Sequence, residues 1–111
     1  MARKSFGDER LVQVRGLPLL GILDRLKADG TLFWRRDMDF MPEKDNRTMR
    51  LFISAPSGFA WEILITDLKW YDSRAGKGGG GGVDLVMYLL GVDFVTTVTL
   101  LLEYAEVGDQ A

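Results

Sequence analysis

Among its 111 residues the chain has no cysteine and no histidine. Each absence removes a class of chemistry. Without cysteine there is no disulfide framework and no thiolate nucleophile or ligand. Without histidine the Ser-His-Asp and Cys-His pairs are excluded, so Ser57 and Ser73 have no imidazole to activate them. Together the two absences exclude every Cys/His zinc site. A Mg²⁺ or Ca²⁺ site made of carboxylates stays open, because those ions take oxygen ligands. Asp37, Asp39, Glu43 and Asp45 fall on one segment, but their spacing is not that of an EF-hand, and Arg35, Arg36, Lys44 and Arg47 are interspersed. The segment reads as a solvated loop. No catalytic residue, cofactor or metal site is assigned, and a binding module is expected rather than an enzyme.

Basic residues are absent from the last third. Residues 78–111 hold no Lys or Arg against 5 Asp and Glu, whereas residues 1–77 hold 14 against 11, a net +3. This polarity suits one face that meets an anionic partner and one that avoids it, or it reflects chance and solubility. An apolar leader is also missing, since polar residues follow Met1-Ala-Arg-Lys. The longest apolar stretch, from Val83 to Ala105, is broken by Asp84, Asp93 and three threonines, and Gly91-Val92-Asp93 reads as a turn. A buried helical pair in a cytoplasmic protein is expected there, with no membrane partner.

What is present suffices for one domain: 47% hydrophobic and 11% aromatic residues build a single core without staples. Residues 1–16 are polar and read as a flexible segment, with an extended piece at Leu11-Val12-Gln13-Val14. The domain proper is placed at 17–106 and a tail at 107–111. Leu19, Leu20, Ile22, Leu23 and Leu26 recur at helical spacing after Pro18, and Asp29-Gly30 closes that helix. Four strands follow: Thr31–Arg36, Met49–Ser54, Phe59–Thr66 and Leu68–Tyr71, with a turn at Ala55–Gly58. After a glycine run come a helix from Val83 to Leu90 and a last helix, Phe94 to Glu106, capped by Asp93. The buried face of the last helix is assigned to Phe94, Val98, Leu101, Leu102 and Ala105. The class is α+β: a small antiparallel sheet of about four strands, an N-terminal helix and two C-terminal helices.

Alternation assigns faces. Phe59, Trp61, Ile63 and Ile65 share one side of their strand with Leu51, Ile53, Leu32 and Trp34, and these read as core. The other side carries Phe33, Arg35, Arg50, Phe52, Glu62, Leu64, Lys69 and Tyr71. Rings beside Arg and Lys on an open sheet serve single-stranded nucleic acid, with bases stacked and phosphates neutralised; the same residues also fit a second, partly covered core with charged rims. Trp34, Trp61 and Trp70 read as packing residues, with Trp70 a stacking candidate if it turns outward.

Gly78 to Gly82 are five consecutive glycines, a run not expected to form regular structure. A P-loop is excluded, because Tyr71 stands where its first glycine belongs and Gly78 replaces its Ser/Thr. Two readings stay open. One is a flexible connector. The other is a loop whose backbone N–H groups, with Arg74 and Lys77, meet a nucleic-acid backbone at a helix start, although Asp84 opposes an anion there.

The segment Lys69 to Leu101, KWYDSRAGKGGGGGVDLVMYLLGVDFVTTVTLL, resembles the end of the N-terminal zinc-ribbon (CHC2-type) domain of bacterial DNA primases, especially the variants in primase-like proteins of plasmids and integrating elements. Leu85-Val86-Met87 matches the helix after that family's glycine turn, and Gly91-Val92-Asp93-Phe94 with Val98 matches the segment opening the next helix. The family's metal-binding pairs would fall near Arg36-Asp37-Met38-Asp39 and Lys69-Trp70-Tyr71-Asp72, where no zinc ligand exists. The resemblance therefore implies a zinc-less version, with Trp70 and Tyr71 filling the space of the lost metal. It also implies a template-engaging module for single-stranded DNA in a mobile-element replication or priming system, any catalysis residing in a separate Toprim domain. Phe33, Arg35, Arg50, Phe52, Lys69, Trp70, Tyr71, Arg74 and Lys77 are the expected contacts. The rival expectation is an adaptor that docks a replication polymerase, primase or helicase through the apolar C-terminal helices without touching DNA.

Overall fold

Leu19, Ile22, Leu23 and Leu26 are one stripe of a helix, and all four are buried. In the computed structural model, which describes residues 7–110 and side chains as far as residue 105, this helix (α2, Leu19–Ala28) is the second of four. Pro18 stands just before it with φ −61°, and Gly30 beyond its end takes φ 75°, as the Asp29-Gly30 pair implied.

The first helix corrects the sequence reading. Asp8–Arg15 (α1) is helical where a flexible segment with an extended piece was expected. Asp8 and Glu9 in its first turn and Arg15 in its last complement the helix dipole. Its amphipathic signal is faint because Val14 is the one buried residue on it. Packing against the two C-terminal helices holds it. Residues 1–6 of the expected flexible segment lie outside the described residues.

Five antiparallel strands follow in simple order, β1 (Phe33–Arg36), β2 (Met49–Ser54), β3 (Ala60–Thr66), β4 (Lys69–Asp72) and β5 (Lys77–Gly80). The expected four are there, and the fifth is made from the glycine run. β5 pairs with β4 in the register Lys69 with Gly80, Trp70 with Gly79, Tyr71 with Gly78 and Asp72 with Lys77. The run is thus regular structure, contrary to expectation, and the lack of side chains is what fits it there. A Cβ on Gly78 would lie 2.8 Å from the Trp70 carbonyl oxygen. One on Gly79 would lie 3.0 Å from Cζ2 of the Trp70 ring. Gly81 takes φ +85° and donates its N–H to the Leu68 carbonyl at 2.6 Å. A Cβ on Gly82 would collide with Ile22 Cδ1.

Helix α3 (Gly81–Leu90) starts inside the same run, and Gly91 ends it with φ 66°. Asp93 then caps α4 (Phe94–Gln110), its Oδ1 accepting the N–H of Thr96 at 2.8 Å. The helix runs through the positions expected to be a tail. Val98, Leu101, Leu102 and Ala105 are buried as anticipated, but Phe94, at the first position of the helix, is 40% exposed. Among the described residues no single helix is long and apolar enough to cross a membrane; α3 and α4 together have the composition, but they are bent by 119° and their apolar sides enter the core.

That core lies between one sheet face and the helices. Leu51, Ile53, Ile63 and Ile65 pack with Ile22, Leu26, Leu85, Val86 and Leu101. The assignment of Phe59 to this face fails: it precedes β3, is 62% exposed and leans on Trp61 at 4.8 Å.

Candidate nucleic-acid interface

Strand register decides which side chains share the side of the sheet away from the helices. Cross-strand partners project to the same face. Arg35 faces Phe52, and Phe52 faces Glu62; Arg50 faces Leu64, and Leu64 faces Tyr71; Thr66 faces Lys69. Phe33 starts a further row with Ser54 and Ala60. The surface anticipated from alternation is therefore assembled on one face, with Phe33 and Tyr71 exposed and Arg50, Phe52 and Leu64 half-buried.

Its charges interlock with its rings. The Arg35 guanidinium lies 4.4 Å from the Phe52 ring centre. The Arg50 guanidinium lies 5.8 Å from the same ring and 5.2 Å from that of Phe40, on the loop after β1. Stacked guanidinium and ring planes are pre-organised, which lowers the entropy cost of a further stacked ligand. Arg50 is also held by Asp37, whose Oδ2 accepts its Nε–H at 2.9 Å and its Nη2–H at 2.5 Å. That hydrogen bond draws the Asp37 carboxyl below the usual carboxylate range. Arg50 is thus a neutralised support for the face, while Arg35 and Lys69 are in no salt bridge among the described residues. Glu62 is the one carboxylate in these rows.

The other anticipated contacts lie elsewhere. Trp70 is 6% exposed and projects to the helix side, where its ring meets Tyr88 at 5.0 Å and lies over Gly79. It is a packing residue and not a stacking one. Its neighbour Tyr71 projects the opposite way, so the two do not fill one space. Lys77 pairs with Asp72, which places it on the helix side at the sheet edge. Arg74 stands in the β4–β5 turn, its backbone N–H bonded to Asp72 Oδ1 at 3.0 Å. Asp72 is buried at 4%; its Oδ1 also accepts the N–H of Ala75, and its Oδ2 accepts the Tyr88 hydroxyl at 2.5 Å. These bonds make it the keystone of the turn, and the one from the Tyr88 hydroxyl, with burial, pushes the Tyr88 phenol up.

The carboxylates of the loop after β1 are absorbed by local structure. Asp45 accepts the Arg47 guanidinium at 2.8 Å and its backbone N–H at 2.9 Å, holding its carboxyl down to about 2. No group of three potential ligands is placed to hold a metal among the described residues.

Comparison with known protein families, curated proteins and solved structures finds no match to this chain. Its function is therefore argued from its own residues.

Sequence reasoning missed a second place where rings and cations meet. Trp34, Ile53 and Trp61 form one row on the helix side. Ile53 is buried, but the two indoles are half-buried. Alternation put all three in the core, and nothing local to these strands shows where helix cover stops.

Proposed function

We propose that the chain binds single-stranded nucleic acid on the open face of its sheet, as a template-engaging module of a replication or priming system acting on DNA in the cytoplasm. The observation that carries this reading is the interleaving on one open face of Phe33, Phe52 and Tyr71 with Arg35, Arg50 and Lys69. Base stacking on rings is tolerant of sequence, and the cations follow the backbone. The resemblance of Lys69–Leu101 to primase zinc-ribbon domains supports a DNA template as the strand.

Fluorescence anisotropy with labelled oligonucleotides over a salt series tests it. With Arg50 neutralised by Asp37, the two remaining cations on the face, Arg35 and Lys69, set a slope of roughly −1.4 for log affinity against log salt, at about −0.7 per phosphate neutralised. Arg35→Gln with Lys69→Gln brings that slope close to zero. Tyr71→Ala costs about 1–3 kcal/mol at any salt. Affinity and slope unchanged by all three substitutions would remove the open face from consideration.

An adaptor docking through the C-terminal helices is the second reading. Val98, Leu101, Leu102, Tyr104 and Ala105 are already buried in the chain's own core, and among the described residues of α4 the exposed large apolar side chains are Phe94 and Val95. Co-elution with a polymerase, primase or helicase that survives the open-face substitutions and is lost on Phe94→Ser would favour it.

A further inference from the structure

The half-covered indoles Trp34 and Trp61 line a cleft of about 290 Å³ with Ile53 between them. Three cations line it, Lys27 from α2, Arg35 from β1 and Arg74 from the β4–β5 turn. The Lys27 ammonium lies 5.8 Å from the Trp34 ring centre. Among the described residues no carboxylate lines the cleft. Asp72 lines an adjoining hollow of about 230 Å³ that shares Trp61 and Arg74, but its oxygens are taken by Tyr88 and two backbone N–H groups. The site therefore offers flat aromatic surface and unopposed positive charge. The indole N–H of Trp34 is enclosed and has no acceptor among the described residues.

We propose that this cleft binds a nucleoside phosphate, the base against Trp34 and Trp61 and the phosphate between Lys27 and Arg74. Indole faces stack planar rings, and a guanidinium grips phosphate oxygens in a two-pronged geometry that a lysine complements as a point charge. The volume sits at the lower end of small-molecule pockets, which begin at about 300 Å³, and so suits one nucleotide. Trp34, Ile53 and Trp61 set the floor of the cleft on the helix side of the sheet, and Phe33, Arg35 and Phe52 of the strands that carry the open face also line it. Two sources share this chemistry, a free nucleotide and the 5′-phosphorylated end of a strand.

Isothermal titration of the full chain with adenosine 5′-monophosphate, adenosine and inorganic phosphate tests it. The monophosphate binds at one site, and adenosine and phosphate alone bind at least about tenfold more weakly, each having lost one half of the recognition. Lys27→Gln and Arg74→Gln each weaken the monophosphate about tenfold. Both side chains are exposed, so urea midpoints stay unchanged and confirm folding. Lack of binding by the monophosphate overturns the proposal, as does equal affinity for adenosine or indifference to both substitutions. With Lys69→Gln and Tyr71→Ala in place to weaken the open face, both outside the cleft lining, a 5′-phosphorylated oligonucleotide that displaces the monophosphate identifies a strand end as the occupant; a 5′-hydroxyl oligonucleotide does not displace it. If neither displaces it, the occupant is a free nucleotide.

Discussion

Alanine at Gly78 and alanine at Gly80 have opposite effects on stability if the glycine run is a strand. A Cβ on Gly78 would stand 2.8 Å from the Trp70 carbonyl oxygen and 3.0 Å from Tyr71 Cδ1. The first of these is backbone held in the β3–β4 ladder and cannot yield cheaply. Overpacking of this kind costs about 1–3 kcal/mol. Alanine also restricts the unfolded chain, which returns about 0.4–1 kcal/mol. The net for Gly78→Ala is a loss of about 1–2 kcal/mol by these two terms. Gly80 has extended backbone, φ −130° and ψ 130°, and nothing within 4 Å of where a Cβ would sit. Gly80→Ala therefore keeps only the entropic gain of about 0.4–1 kcal/mol. The two variants should differ by about 2 kcal/mol, which is more than 1 M in urea midpoint at a slope of about 1.5 kcal/mol per M. The assay is equilibrium urea unfolding followed by tryptophan fluorescence, with Trp70 as a probe of the affected edge. A flexible connector would give both alanines the same small stabilisation. Equal midpoints would refute β5.

Gly82→Ala should destabilise by about 1–3 kcal/mol, because its Cβ would meet buried Ile22; adding Ile22→Val, which removes the clashing methyl, should recover part of it as a coupling of at least about 0.5 kcal/mol in a double-mutant cycle. Asp93→Ala removes the α4 cap and should cost about 0.5–2 kcal/mol by thermal unfolding. Tyr104 donates its hydroxyl to Asp29 at 3.0 Å, and burial first, then that bond, pushes its phenol up to about 12. A raised pKa contributes in full below the ordinary value near 10 and is lost as pH climbs from there to about 12. The wild type should therefore lose stability across that window, and Tyr104→Phe should flatten the loss; an identical alkaline profile in the variant would rule out Tyr104 as its source.

How much was legible depended on whether a side chain announced its environment locally. Met49–Ser54 and Ala60–Thr66 alternate with period two, so their faces could be read, and the Arg35, Phe52, Arg50 and Tyr71 surface follows from that alternation. The turns at Gly30, Gly58 and Gly91 were legible because each needs positive φ. Helix α1 was not, because it buries one residue and is held by packing on α3 and α4. Trp70 depended on the register of a four-residue strand, where a shift of one exchanges faces.

By itself the sequence determined the chemistry that is excluded, the α+β class and the composition of the open face, because absence of a residue type and short-range periodicity are properties of the chain alone. The tertiary structure alone decided that glycines form an edge strand, since a strand without side chains is recognisable only by the Trp70 ring and carbonyl that crowd against it. It alone also decided that Trp34 and Trp61 stay partly uncovered between Lys27 and Arg74, because helix cover over a sheet face is set by packing between elements distant in the chain.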